Sequence, residues 1–186
     1  MADDSGRNLH LPVDRAPTAA AVVLHPHPAM GGDRNHPLVV AVAEGLAAAG
    51  IAALRIDLAD PDVDRSAERL DEVASELVAE VGAERLFLVG YSWGSIVSAT
   101  ARPAALAARV LVAPPVSMAE LPTPTDDTAS LLLVPVHDQY GGPDAVRTAV
   151  AGWPEATVED IDGCDHFLVG AISRIADRTV AWLADR

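Results

Sequence analysis

A serine lies between two glycines in the segment Gly90-Tyr91-Ser92-Trp93-Gly94. The apolar run 85–89 before it is typical of a strand buried on both faces, and the small residues 95–101 after it predict a closely packed helix. At such a sharp corner the serine adopts a sparsely populated backbone conformation, and side chains in place of the two glycines would collide with the backbone. The free N–H groups and positive dipole end of the helix point at the serine hydroxyl. The spacing therefore predicts a nucleophilic serine.

A serine hydroxyl is a weak nucleophile at neutral pH and needs a base, which an acid in turn orients. Two candidate partners follow later apolar runs: Asp138 comes after the run 131–136, and His166 comes after the run 156–161. If these runs are parallel strands, their carboxyl ends open on the same edge of the sheet as Ser92. Asp138 is favoured as the acid because it lies where its strand ends. Three other carboxylates nearby stay open as alternatives: Asp144, Asp162 and Asp165.

The elements that must position these residues alternate along the chain. Six apolar runs have the length of strands: 18–24, 51–58, 85–89, 109–112, 131–136 and 156–161. The segments between and after them predict helices: 35–49, 64–81, the residues from the serine corner to Pro103, 142–153 and 167–184. This alternation predicts a mostly parallel sheet of about six strands with helices on both faces, which is a three-layer α/β/α sandwich.

The length of 186 residues predicts one domain over residues 1–186. Residues 1–7 are expected to be frayed, and 8–13 to form a short edge strand or no strand, because Pro12 and Pro17 favour an edge or a loop. We therefore expect residues 1–17 to be irregular or an edge strand. The Pro-rich segment 113–130 predicts a loop too short for a folded insertion.

The composition excludes several classes of partner. The formal charge of −14 gives an acidic surface that repels phosphate backbones and anionic lipid heads, so neither nucleic acid nor a membrane surface is an expected partner. The sole cysteine, Cys164, cannot form an internal disulfide, which fits a reducing compartment. Since no apolar run near the start is long enough for a signal peptide or a membrane span, we expect a cytoplasmic protein.

Four motifs coincide in this chain: the serine corner, a His-Pro-His-Pro segment at 25–28 followed by Gly31-Gly32, the late Asp138, and the turn 163–167 that contains His166. From about residue 18 to its end the chain resembles the α/β-hydrolase superfamily. The His-Pro-His-Pro segment resembles that of small lidless bacterial members related to dienelactone hydrolases. The resemblance implies Ser92 as nucleophile, Asp138 as acid and His166 as base. Dienelactone hydrolases use a cysteine nucleophile, so their lactone substrate is not implied.

Two backbone N–H groups are expected to receive the negative charge on the substrate oxygen. One belongs to Trp93, directly after the nucleophile, and the other to the loop after the first secure strand. Pro26 and Pro28 have no N–H. The resemblance implies His27 as the second donor, with two alternatives left open: Ala29 and Met30.

We expect no metal and no other cofactor. His25 and His27 could bind a metal together with Asp33 or His36, but the usual zinc-enzyme spacings are absent. Met30, Tyr140 and Phe167 are expected to line the substrate pocket, and the absence of a lid predicts a shallow, open site.

Together these features predict a serine hydrolase that cleaves a carboxylic ester or thioester of a small or exposed acyl group through an acyl-enzyme. A small-molecule acyl substrate is therefore the expected partner. A non-catalytic domain of this fold that binds a ligand stays an alternative, because fold does not prove activity. Peptidase or acyltransferase chemistry would use the same three residues. The sequence fixes neither the oligomeric state nor the physiological substrate.

Overall fold

A seven-stranded sheet runs through the part of the chain that the computed structural model describes, residues 6–124 and 127–186. Its strands are β1 (Arg7–His10), β2 (Ala19–Leu24), β3 (Ile51–Ile56), β4 (Leu86–Tyr91), β5 (Leu106–Val112), β6 (Ala129–Pro135) and β7 (Ala156–Ile161). Their spatial order is β1-β3-β2-β4-β5-β6-β7, with β2 to β7 parallel and β1 antiparallel to β3. The six parallel strands correspond to the six predicted apolar runs, so the mostly parallel sheet is confirmed.

Helices cover both faces of this sheet. They are α1 (Pro37–Ala48), α2 (Val63–Val81), α3 (Trp93–Thr100), α4 (Pro143–Ala149) and α5 (Ile172–Ala184). Alternate strand residues face opposite ways, so one set packs under α1 and α5 while the other packs under α2, α3 and α4. The predicted three-layer α/β/α sandwich is therefore confirmed. No helix among the described residues has the length and apolar character needed to cross a membrane.

The N-terminal segment forms an edge strand. Residues 1–5, predicted to be frayed, lie outside the described residues, but Arg7 already belongs to β1 and pairs with Ile56. The Arg7 side chain forms an ion pair with Glu80 of α2, with an N–O distance of 3.1 Å. The edge-strand alternative is therefore correct, and frayed structure as far as residue 7 is wrong.

Four predicted helices are shorter than expected, and the largest differences are at α4 and α5. The last helix was predicted to begin at Phe167, but α5 begins at Ile172. Leu168 has φ of 60° and Gly170 has φ of 75°, and left-handed residues cannot continue a right-handed helix. The helix predicted over 142–153 ends at Ala149, before a turn that leads to Pro154.

The segment between β5 and β6 contains neither helix nor strand within its described residues, 113–124 and 127–128. This agrees with the prediction of a loop that is too short to fold as a lid.

The strand order places the functional loops. The chain moves from β2 to β3 on one side and returns to β4 on the other side of β2. The loops that leave the carboxyl ends of β2 and β4 therefore separate there and flank a crevice, which is where ligands bind in open parallel sheets.

Candidate active site

Ser92 occupies a strained corner between β4 and α3. Its backbone has φ of 54° and ψ of −118°, a combination that non-glycine residues rarely adopt. A Cβ on Gly90 would lie 2.1 Å from the carbonyl oxygen of Gly94, and a Cβ on Gly94 would lie 2.6 Å from that of His25. Both distances are shorter than van der Waals contact, so the corner requires glycine at both positions, as the sequence predicts.

Ser92, His166 and Asp138 form a continuous line of hydrogen bonds. The Oγ of Ser92 lies 2.8 Å from Nε2 of His166, and Nδ1 of His166 lies 2.9 Å and 3.0 Å from the two carboxylate oxygens of Asp138. The carboxylate can only accept, so Nδ1 carries the proton and Nε2 is free to accept from the serine hydroxyl. The side chain of Asp138 is 0% exposed and that of His166 is 6% exposed, which shields these hydrogen bonds from water.

The three alternative carboxylates do not contact the imidazole of His166. Asp144 pairs with Arg147 and is fully exposed, Asp162 is exposed, and Asp165 accepts the backbone N–H of Phe167. The geometry therefore favours Asp138 over the carboxylates that the sequence left open.

The turn that carries His166 is held by a buried tyrosine. The hydroxyl of Tyr91 donates to the backbone carbonyl of His166 at 2.8 Å. Burial, followed by the negative charges of Asp138 and Asp165, raises the pKa of Tyr91, so its hydroxyl stays protonated and able to donate. Sequence reasoning missed this residue, because a contact between positions 91 and 166 has no local signal.

Asp138 is held in turn by its own loop. Its backbone N–H donates to the carbonyl of Pro135 at 3.1 Å, and its Oδ1 accepts the backbone N–H of Tyr140 at 2.8 Å. These two hydrogen bonds within the loop fix the position of the carboxylate independently of the imidazole.

The two expected donors for an anionic oxygen belong to the start of α3 and to the loop after β2. Trp93 is the first residue of α3, so its N–H has no acceptor within the helix. In the loop after β2, the N–H of Ala29 donates to Nδ1 of His27 at 3.2 Å, and the N–H of Met30 donates to the His27 carbonyl at 3.0 Å. Both alternative amides are therefore engaged within the loop, and the N–H of His27 stays the expected second donor.

His25 uses both ring nitrogens to fix this loop. The backbone N–H of Leu58 donates to Nε2 at 2.9 Å, so the proton of the neutral ring is on Nδ1, which donates to the carbonyl of Pro26 at 2.6 Å. The ring also stacks on Trp93, with a centroid distance of 5.8 Å. Within the described residues, no three His, Cys, Asp or Glu side chains are grouped to hold a metal ion. His25 is thus part of the loop's own hydrogen-bond network.

A cavity of about 420 Å³ opens beside Ser92, between the loops that follow β2, β3, β5, β6 and β7. The three predicted pocket residues, Met30, Tyr140 and Phe167, all line it. His36 and Met118 also line it and were missed as pocket residues, because their loops reach the cavity only through the fold.

Cys164 is buried beside this site. Its thiol lies 3.7 Å from the carbonyl oxygen of Ile161, and burial raises its pKa. A buried thiol with a raised pKa is a poor nucleophile, so Cys164 is a packing residue of the core rather than a second nucleophile.

No protein-family model matches the chain, and a search of curated proteins finds no match. Solved structures do match its fold. A homologue of α/β serine hydrolases from Coxiella burnetii is 21% identical over 95% of this chain and 90% of its own, with a TM-score of 0.78. The lidless α/β serine hydrolase XC6422 from Xanthomonas campestris is 20% identical over 93% and 85%, with a TM-score of 0.77. A dienelactone hydrolase from Anabaena variabilis is 23% identical over 95% and 89%, with a TM-score of 0.77. The fold is therefore that of the α/β-hydrolases.

Proposed function

We propose that this chain, which has the α/β-hydrolase fold, is a serine hydrolase that cleaves carboxylic esters or thioesters through an acyl-enzyme. The observation that carries the proposal is the shielded line of hydrogen bonds from Ser92 through His166 to Asp138, which ends at an open cavity. Such a line activates a hydroxyl that is otherwise a weak nucleophile at neutral pH.

The proposed reaction begins and ends at the hydroxyl of Ser92. Oγ of Ser92 attacks the substrate carbonyl carbon while its proton moves to Nε2 of His166. The negative oxygen of the tetrahedral intermediate accepts hydrogen bonds from the N–H groups of Trp93 and His27. Collapse of the intermediate breaks the bond to the leaving alcohol or thiol, which takes the proton from Nε2. Water then repeats the sequence on the acyl-enzyme, releasing the acid and restoring Ser92.

Asp138 acts through the imidazole in this cycle. Its carboxylate holds the proton of His166 on Nδ1 and stabilises the imidazolium that forms when Nε2 is protonated.

Two further observations support this function. The fold matches that of a lidless serine hydrolase, and the described residues between β5 and β6, 113–124 and 127–128, form no helix or strand that could act as a lid. Without a lid, the cavity of about 420 Å³ is reached directly from the surface, so we propose small or surface-presented acyl groups as substrates.

The experiment is the hydrolysis of para-nitrophenyl acetate and of a small acyl thioester by the wild type and by Ser92→Ala. Removal of the nucleophile is expected to lower kcat at least about 10³-fold, leaving only residual catalysis by the oxyanion donors. The matched control is Ser98→Ala, which removes a buried hydroxyl from the same helix α3 and should retain activity. Full activity of Ser92→Ala would refute the proposed function.

A further inference from the structure

The cavity beside Ser92 is built without charge. Among the described residues that line it there is no Asp, Glu, Lys or Arg. Most of the wall is apolar, with contributions from Pro61, Val63, Ile96 and Ala119. A charged group that enters such a cavity loses its hydration and finds no opposite charge in return, which is strongly unfavourable.

Three histidines among the described residues line the cavity; His166 is the proposed base, and the other two do not supply a positive charge. Nδ1 of His27 accepts the N–H of Ala29 at 3.2 Å, and Nδ1 of His36 accepts the N–H of Leu38 at 3.3 Å. A nitrogen that accepts a hydrogen bond carries no proton, so both rings are neutral with their proton on Nε2. Burial also lowers the pKa of His36, which keeps this ring neutral at physiological pH.

Two negative charges lie close to the cavity wall. Burial, then the charges of Asp138 and Asp165, raises the pKa of Tyr91, which lines the cavity, so both carboxylates act on a residue of its wall. The whole chain carries a formal charge of −14. An anionic substrate therefore meets repulsion in addition to the cost of losing its hydration, whereas a cationic substrate meets only the second penalty.

The mouth of the cavity is apolar as well. The side chains of Met30, Met118 and Phe167 are 70%, 67% and 52% exposed around it. When an apolar group covers methionine and aromatic side chains that are exposed at a cleft, the complex is stabilised. A substrate chain that extends out of the cavity would cover these three side chains.

We propose that the cleft selects uncharged esters with an apolar acyl chain and rejects anionic ones. This inference rests on the proposed function, because it names the substrate class of the same site. Neutral acyl chains are expected to gain about 4-fold in kcat/KM for each added methylene that the cavity and its rim cover. A carboxylate at the chain end is expected to lower kcat/KM by about 10² or more.

The test compares para-nitrophenyl hydrogen adipate, which is anionic, with para-nitrophenyl methyl adipate, its uncharged methyl ester. A third ester carries a trimethylammonium group at the end of a pentanoyl chain. Rates are measured at low and at high NaCl, with the rate of Ser92→Ala subtracted as background. The expected order of kcat/KM is neutral, then cationic, then anionic, and the anion penalty should persist at high salt, because screening acts weakly on groups within a cleft.

A charge placed at the rim should change this order. Met118→Lys adds a cation to an exposed rim position and is expected to raise kcat/KM for the anionic ester at least about 5-fold relative to the neutral one. Met118→Gln is the neutral control at the same site. Val13→Lys makes the same change in net charge at a position that is 94% exposed and does not line the cavity, so it should leave the ratio unchanged.

The outcomes separate this inference from the proposed function. Equal kcat/KM for the anionic and neutral esters would overturn the inference and leave the function standing. An anion penalty that disappears at high salt, or that Val13→Lys relieves as well as Met118→Lys does, would also overturn it, because the surface charge would then be the cause. A wild type that hydrolyses none of the esters would overturn both.

Discussion

Removal of the Tyr91 hydroxyl would test how the fold holds the turn that carries the proposed base, His166. Tyr91 is 4% exposed, and its hydroxyl donates to the backbone carbonyl of His166 at 2.8 Å. Its ring lies between two imidazoles, with centroids 5.0 Å from His36 and 5.9 Å from His166. Tyr91→Phe removes one oxygen atom and keeps the ring, so it separates the hydrogen bond from the packing.

The magnitude follows from the buried carbonyl that loses its donor. Leaving such a group without a partner costs about 1–3 kcal/mol. For a chain of this length each kcal/mol lowers Tm by about 2–4 °C, so Tyr91→Phe should melt roughly 2–12 °C below the wild type. Because a displacement of about 1 Å in a catalytic group can cost as much as about 10²-fold in rate, kcat should fall about 10-fold. KM should change little, because the hydroxyl is bonded to the protein.

The assay combines thermal melting with steady-state kinetics on a neutral para-nitrophenyl ester. Tyr140→Phe is the matched control for stability. The ring centroids of Tyr140 and His166 are 4.7 Å apart, and the hydrogen bond from Tyr140 to Asp138 is made by the backbone N–H, which the substitution keeps. Its Tm should stay within about 2 °C of the wild type. If Tyr91→Phe melts and turns over like the wild type, the hydrogen bond does not hold the turn and the reasoning is refuted.

Three further predictions follow from single positions. Gly94→Ala places a Cβ 2.6 Å from a backbone oxygen and should lower the free energy of unfolding by about 1–3 kcal/mol, measured by denaturant unfolding. The control Gly152→Ala has no atom within 4 Å of the added carbon and should leave the free energy of unfolding nearly unchanged. Asp138→Asn should lower kcat about 10³–10⁴-fold with little change in KM, because an amide favours the wrong imidazole tautomer; a fall of less than 10-fold would contradict this role. Burial, then the charge of Arg55, lowers the pKa of His10, so the unfolded state binds the proton more readily. The corresponding stability is present above the unfolded pKa of about 6.5 and is lost as the pH falls through the folded pKa. The Tm of the wild type should therefore fall more between pH 7.5 and 5 than the Tm of His10→Gln. The glutamine amide of this control can still accept the hydrogen bond from Arg55. Equal losses in the two proteins would contradict this.

The sheet and the line from serine to aspartate could be predicted because their signals are local. Six apolar runs correspond to the parallel strands, and the steric need for glycine at Gly90 and Gly94 can be read within five residues of sequence. Asp138 and His166 could be placed because each lies in the loop that follows a strand of the same sheet. Once the strands are parallel, their carboxyl ends must meet at one edge.

The remaining features depend on contacts between distant positions. The pairing of β1 with β3 joins segments that are more than 40 residues apart, and the four residues Arg7–His10 contain no pattern that predicts which strand they pair with. Leu168 takes a left-handed conformation that its residue type disfavours, so the start of α5 could not be predicted from helical periodicity. His25 is fixed by the N–H of Leu58, 33 positions away, a contact that the spacing of histidines does not reveal.

The central claim is that Ser92 is an activated nucleophile, and intact-mass measurement after treatment with a broad fluorophosphonate probe tests it most directly. The account predicts one adduct on the wild type and on the control Ser98→Ala, no adduct on Ser92→Ala, and much slower labelling of His166→Ala. Circular dichroism would establish that each protein is folded. A folded wild type without an adduct, or an adduct that persists on Ser92→Ala, would contradict the account, and the first of these results would favour a ligand-binding domain that has kept the fold without the chemistry.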